Sequence, residues 1–305
     1  VLWDPVVLSR VRHLHMQARI LTDALLMGNH RSRRVGQAVE FADYQEYTPG
    51  MDLRGIDWKV WGRTDRYVVR RYETETELPC MIVLDLSGDL GTGDDARDSY
   101  PDLGKSKAGY AICLAATLLY WFQRQGEPIG LHIVGGSGLE HRDFPARTSK
   151  RHLQLLFTAL ATARPDGRAD LSEALIRAGG RAKRRSWVGV ISDGMEEPSQ
   201  WLPALSAFAR RGADLRFCHL FDRQELTLDF ERSVLFYSPE GGEALAIDPP
   251  GARADFREVV AGYLEEVRRG VVTVGGQYLQ VGTDEPMERV FHRIVVGDNR
   301  PVEAP

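Results

Sequence analysis

Asp85 closes the apolar run Cys80-Met81-Ile82-Val83-Leu84, and Asp193 follows the run Trp187 to Ile191 after a single serine. Two carboxylates, with the Ser87 hydroxyl two residues beyond the first, are the hard oxygen donors that Mg²⁺ takes while keeping several of its waters. Each aspartate alone has a plainer reading, that it caps the helix following its strand. The two readings part on whether both strand ends face one crevice, so the elements that carry them have to be placed.

From residue 79 the texture is regular. Cys80 to Leu84 is a short continuous apolar run, as expected of a strand buried on both faces. Lys105 to Arg124 predicts a helix apolar nearly all round and therefore packed inside. Strands are expected at Ile129–Val134, Trp187–Ile191, Leu215–Phe221 and Tyr278–Val281, with Leu139–Phe144 returning as a hairpin partner. Helices are expected over 151–163, 171–178, 200–210, 254–269 and 286–295, and a second hairpin from 234–237 and 244–247. This alternation implies an α/β fold, a doubly wound and mostly parallel sheet with helices on both faces. If 80–84 is central, flanked by 129–134 and 187–191, the strand order reverses beside it. Ligands of open α/β sheets bind there, outside the carboxyl ends of the strands. Asp85 and Asp193 then share one crevice, closed by the loop before Leu171. On this ground the metal reading and the capping reading stand about even.

Residues 1–78 differ, being rich in Arg, Gly and aromatics. Val6 to Met27 predicts one helix, with Leu14, Ala18, Leu21 and Leu25 at three-to-four spacing. A β-rich segment with a turn at Thr48-Pro49-Gly50 follows. The expected organisation is 1–78 as a helix plus β-rich segment, 79–297 as the α/β domain with a C-terminal extension, and 298–305 as a tail.

Net charge is −4, so nothing global points to nucleic acid or to an anionic membrane. The acidic stretch 85–102 includes Asp94, Asp95 and Asp98, candidate partner contacts beside the crevice; the plainer reading is a solvated face. Cys80, Cys113 and Cys218 sit far apart in apolar runs, which predicts buried thiols in a reducing compartment and a cytoplasmic protein. No signal peptide is read at the start, and the most apolar stretch, Gly109 to Phe122, is too short for a membrane span. The eight histidines show no metal-ligand spacing beyond His13-x-His15 and are read as ordinary. There is no Walker loop, no Gly-x-Ser-x-Gly elbow and no dinucleotide fingerprint. A phosphatase of the Asp-x-Asp kind lacks its general acid, because Ser87 stands at the second position.

Asp85-Leu86-Ser87-Gly88-Asp89, with Ile191-Ser192-Asp193-Gly194 further on, resembles the metal-ion-dependent adhesion site of von Willebrand factor A domains. That resemblance implies Mg²⁺ held by Asp85, Ser87 and Asp193. Asp89 stands where the family has a second Ser, and Ala169 where it has a Thr. Asp89 then becomes a substitute ligand, and Mg²⁺ is expected to bind weakly. A second resemblance reaches further. Gly36, Glu40-Phe41, Tyr47-Thr48-Pro49-Gly50-Met51-Asp52 and Leu53-Arg54-Gly55-Ile56-Asp57-Trp58 resemble the N-terminal signature of domain-of-unknown-function family 58. These are bacterial proteins with a β-rich segment joined to a von Willebrand A-like domain. The resemblance implies a non-enzymatic adaptor working with a MoxR-type AAA+ ATPase. The alternative is a Mg²⁺-dependent hydrolase using the Asp85/Asp193 crevice. Arg54, Asp57 and Trp58 are read as an ion pair and aromatic plug fastening the β segment, with a docking surface as the other reading.

Overall fold

The computed structural model describes residues 4–28, 41–48, 56–72, 77–91, 103, 106–137, 139, 142–167, 170–227, 234–236, 245–247 and 249–296. In chain order the elements begin with helix α1 (Pro5–Gly28), strand β1 (Phe41–Glu46), helix α2 (Trp58–Thr64) and strand β2 (Val68–Tyr72). There follow β3 (Cys80–Leu86), a 3-10 turn (Gly88–Gly91), α3 (Lys107–Arg124), β4 (Ile129–Gly135), β5 (Asp143–Arg147) and α4 (Lys150–Thr162). Next come α5 (Leu171–Arg181), β6 (Trp187–Ser192), α6 (Pro198–Ala209), β7 (Asp214–Phe221) and α7 (Arg223–Thr227). The last are β8 (Val234–Phe236), β9 (Leu245–Ile247), α8 (Pro249–Thr273), β10 (Gln277–Gly282) and α9 (Met287–Val296).

Six strands form a mixed sheet in the order β10-β7-β6-β3-β4-β5, parallel except for β5, which runs antiparallel to β4. β3 lies between β4 and β6, the neighbours expected for it. All seven of its residues are buried, because the two faces of the strand enter two cores. Ile82, Leu84 and Leu86 pack with side chains of α1, α3, α4 and α9. Met81 and Val83 pack with α5, α6 and α8. A strand flanked on both sides has no polar face to offer, hence its unbroken apolar run.

By contact the chain divides into residues 1–28 with 78–305, and residues 29–77. Helix α1 belongs with the sheet: Val7, Leu14, Ala18, Leu21 and Leu25 are buried and join the α3 and α4 side of the core. Burying each large apolar side chain contributes about 1.5–3 kcal/mol, far above the few tenths by which helix propensities differ, so packing decides where α1 goes. The expected return strand at 139–144 forms instead at Asp143–Arg147. Pairing Leu131 with Phe144 buries that ring, and Pro145 is tolerated because β5 is an edge strand. Helix α3 starts two residues later than expected, where the Ser106 hydroxyl accepts the Gly109 N–H at 3.0 Å.

In residues 29–77, β1 and β2 pair antiparallel. Asp57, 5% exposed, caps α2 by accepting the Lys59 N–H at 3.0 Å, while Trp58 is 59% exposed. Trp61 stacks on Tyr67 at 5.9 Å. Arg54, Asp94, Asp95, Asp98 and Ala169 lie outside the described residues. Among the described residues no helix is long and apolar enough to cross a membrane.

Candidate functional site

The chain adds β4 and β5 on one side of β3 and then crosses back to lay β6 on the other, so the strand order reverses between β3 and β6. Leu84 pairs with Ile191, which brings the ends of these two strands level. Asp85 and Asp193 therefore arrive side by side. The Ser192 hydroxyl donates to Asp85 Oδ2 at 2.7 Å, and the Ser87 N–H donates to Oδ1 at 2.9 Å. A cavity of about 130 Å³ opens here, lined among others by Asp85, Ser87, Asp89, Asp193, Met195 and Glu196. Leu171 closes one side, its N–H held by the Glu196 carboxylate at 2.9 Å. The four oxygen-bearing residues singled out in the sequence thus share one crevice. Part of the capping reading holds as well, since Asp85 serves the turn that follows its strand.

Behind Asp193, in the wall of the crevice, lies a buried charge that sequence reasoning missed. Lys107, the first residue of α3, is the only charged residue of that helix before Arg124, and its side chain is 1% exposed. Its Nζ lies 2.8 Å from Asp193 Oδ2 and 2.7 Å from Glu225 Oε1. Burial alone lowers a lysine pKa, but the two carboxylates outweigh it and hold Lys107 above its ordinary value. Among the described residues no cation acts on Asp85 in this way. Burial, and then the neighbouring charge of Asp193, push its carboxyl up to about 7 against the opposing hydrogen bonds from Ser192 and Ser87.

The Asp193 loop is fixed from behind. His219, fully buried on β7, lies 2.8 Å through Nε2 from the Asp193 carbonyl, which can only accept, so Nε2 carries the proton. The Tyr278 hydroxyl then donates to Nδ1 at 3.0 Å. Burial drives the imidazole pKa down to about 3, so the ring stays neutral in this tautomer. The Tyr263 hydroxyl donates to the Gly194 carbonyl. Gly194 has φ +57°, and a Cβ there would meet His219 Nε2 at 3.1 Å, so glycine is required at this position. His219 is thus an orienting residue, which its spacing could not reveal. The legible signal for Lys107 was a lone cation at the head of an apolar helix, a charge that burial obliges to find partners.

Among the described residues no three His, Cys, Asp or Glu side chains converge as metal ligands do. Asp85 already accepts from Ser87 and Ser192, and Asp193 already faces an ammonium. Asp193 Oδ2, buried beside that ammonium, accepts no hydrogen bond among the described residues, and the oxygens of Asp85, Ser87 and Asp89 line the same crevice.

The family model for the protein of unknown function DUF58 matches residues 43–266. Uncharacterized proteins of Mycobacterium tuberculosis and Mycobacterium bovis are each 29% identical over 302 residues, spanning 97% of this chain and 91% of the relative. Among solved structures, BatB from Bacteroides thetaiotaomicron has a TM-score of 0.43 at 14% identity, covering 72% of this chain and 98% of that one. An aerotolerance-related membrane protein from Bacteroides fragilis has a TM-score of 0.42 at 16% identity, covering 71% and 96%.

Proposed function

We propose, from the premise that this chain belongs to the DUF58 family of proteins of unknown function, that it is a non-enzymatic adaptor whose strand-end crevice receives a protein partner. The observation that carries this is the size and lining of the crevice. At about 130 Å³ it falls well below the roughly 300–1,000 Å³ of small-molecule pockets, yet it admits a single side chain. Asp89 and Glu196 give it an acidic lining, which complements a lysine or arginine of the partner. Met195, 57% exposed, adds an adaptable apolar contact. The nearby imidazole is neutral and turned to a backbone carbonyl, so it activates no nucleophile in the crevice.

In this reading the α/β unit is a von Willebrand A-like domain and the partner is a MoxR-type AAA+ ATPase, both inferred from the family resemblance. The cytoplasm is its compartment, in keeping with three buried free thiols. The test is capture of the purified ATPase by the full chain and by its Asp89→Lys variant. Reversing one charge at the crevice is expected to weaken capture about tenfold or more, which is 1.4 kcal/mol. Wild-type capture should also weaken as salt rises, since exposed charges are screened over about 8 Å at physiological ionic strength. Equal capture of both proteins removes the crevice from the interface. Metal-dependent phosphoester turnover lost in Asp85→Asn supports the hydrolase instead.

A further inference from the structure

We propose that the Lys107 ammonium is the resident cation of this crevice, doing there what a divalent metal does in adhesion-type A domains, so that the site is assembled without metal. The inference concerns how the site is built and stands whether or not the partner reading holds.

The geometry is that of a charge-assisted hydrogen bond to Glu225 and an ion pair with Asp193, whose Oδ2 accepts no hydrogen bond among the described residues. Lys107 Nζ stands 2.8 Å and 2.7 Å from carboxylate oxygens of Asp193 and Glu225, within the roughly 2.7–2.9 Å usual for N⁺–H···O⁻ contacts. Mg²⁺ instead demands near-octahedral oxygens at about 2.0–2.1 Å. A divalent ion on Asp193 Oδ2 would meet the Lys107 ammonium, a like charge, at the same oxygen. The lysine is also anchored, since Glu225 has its other oxygen on the Asp222 N–H at 2.8 Å. With Ser106 capping α3 immediately before it, the cation enters at a fixed point of the fold. Asp193, 1% exposed, thereby has a cation supplied from within the protein, the service a metal otherwise provides to a buried carboxylate.

The test is thermal unfolding of the full chain in excess EDTA, in millimolar Mg²⁺ and in millimolar Mn²⁺, with Mn²⁺ binding to the folded protein followed by electron paramagnetic resonance. Wild type is expected to melt at the same temperature in all three and to bind no Mn²⁺. Lys107→Arg, which keeps the charge, is expected to behave likewise. Lys107→Met leaves Asp193 without its cation and is expected to gain a response, its Tm rising by about 3 °C or more in Mn²⁺ over EDTA. The proposal is overturned if wild type binds one Mn²⁺, or if its Tm rises with Mg²⁺ and the rise is lost in Asp193→Asn. It is equally overturned if Lys107→Met folds and remains indifferent to both metals. Should Lys107→Met fail to fold, the resonance titration of wild type decides alone.

Discussion

Asp193→Ala is expected to lower the unfolding free energy by about 3–5 kcal/mol, the range for breaking a buried ion pair by removing one partner. Asp193 and Lys107 are 2% and 1% exposed in their side chains, so solvent does not screen the loss. Glu225 remains beside the stranded ammonium but is 26% exposed, and it places the effect toward the lower end. At about 2–4 °C per kcal/mol for a chain of this size, Tm falls by roughly 6–12 °C. The double variant Lys107→Met/Asp193→Ala should lose less than the sum of the two single losses, because each single change strands a charge and the double does not. A loss below about 1 kcal/mol for Asp193→Ala would mean the pair is solvated, as exposed pairs are.

The stability that Asp85 contributes, read as wild type minus Asp85→Asn, is expected to fall as pH rises from 4 to 7, while the depressed pKa of His219 acts in the opposite sense on both proteins alike. Its folded pKa, about 7, lies above its ordinary 3.8. Between these values the unfolded chain has released the proton and the folded chain still holds it. Through this group rising pH therefore favours unfolding, and the loss is complete once pH passes the folded value. At 1.36 kcal/mol per pKa unit, the difference between the two proteins is expected to change by a few kcal/mol across this window. Asp85→Asn keeps a carbonyl oxygen for the Ser87 N–H and cannot ionise, so it loses the Asp85 contribution and its stability should rise with pH across this window, as the buried neutral His219 requires. Urea unfolding of both proteins at pH 4.5, 6 and 7.5 reads the effect. Parallel curves for wild type and variant would show that Asp85 is ionised throughout.

The frame of the site was legible because it rests on local patterns. β3, β4 and β6 are continuous apolar runs, and the long return between β4 and β6 is what places Asp85 next to Asp193. What escaped depends on contacts distant in sequence. Lys107 meets Asp193 and Glu225 only after α3, β6 and α7 have packed, and no spacing rule links them. His219 sits in an apolar strand, and its role comes from Asp193 and Tyr278 approaching from two other segments. The β5 strand was misplaced because Pro145 reads as a breaker until the strand is known to lie at an edge. Helix α1 shows an apolar stripe, which announces burial without saying against what.

The most direct measurement of the central claim is site-specific photo-crosslinking of the full chain to the purified MoxR-type ATPase. A photoreactive residue replaces Met195, which lines the crevice, or Val259, 71% exposed on α8. If the crevice receives the partner, position 195 forms the covalent adduct, position 259 does not, and Asp89→Lys abolishes the adduct at 195. Equal labelling from both positions, or labelling from 259 alone, would contradict the account.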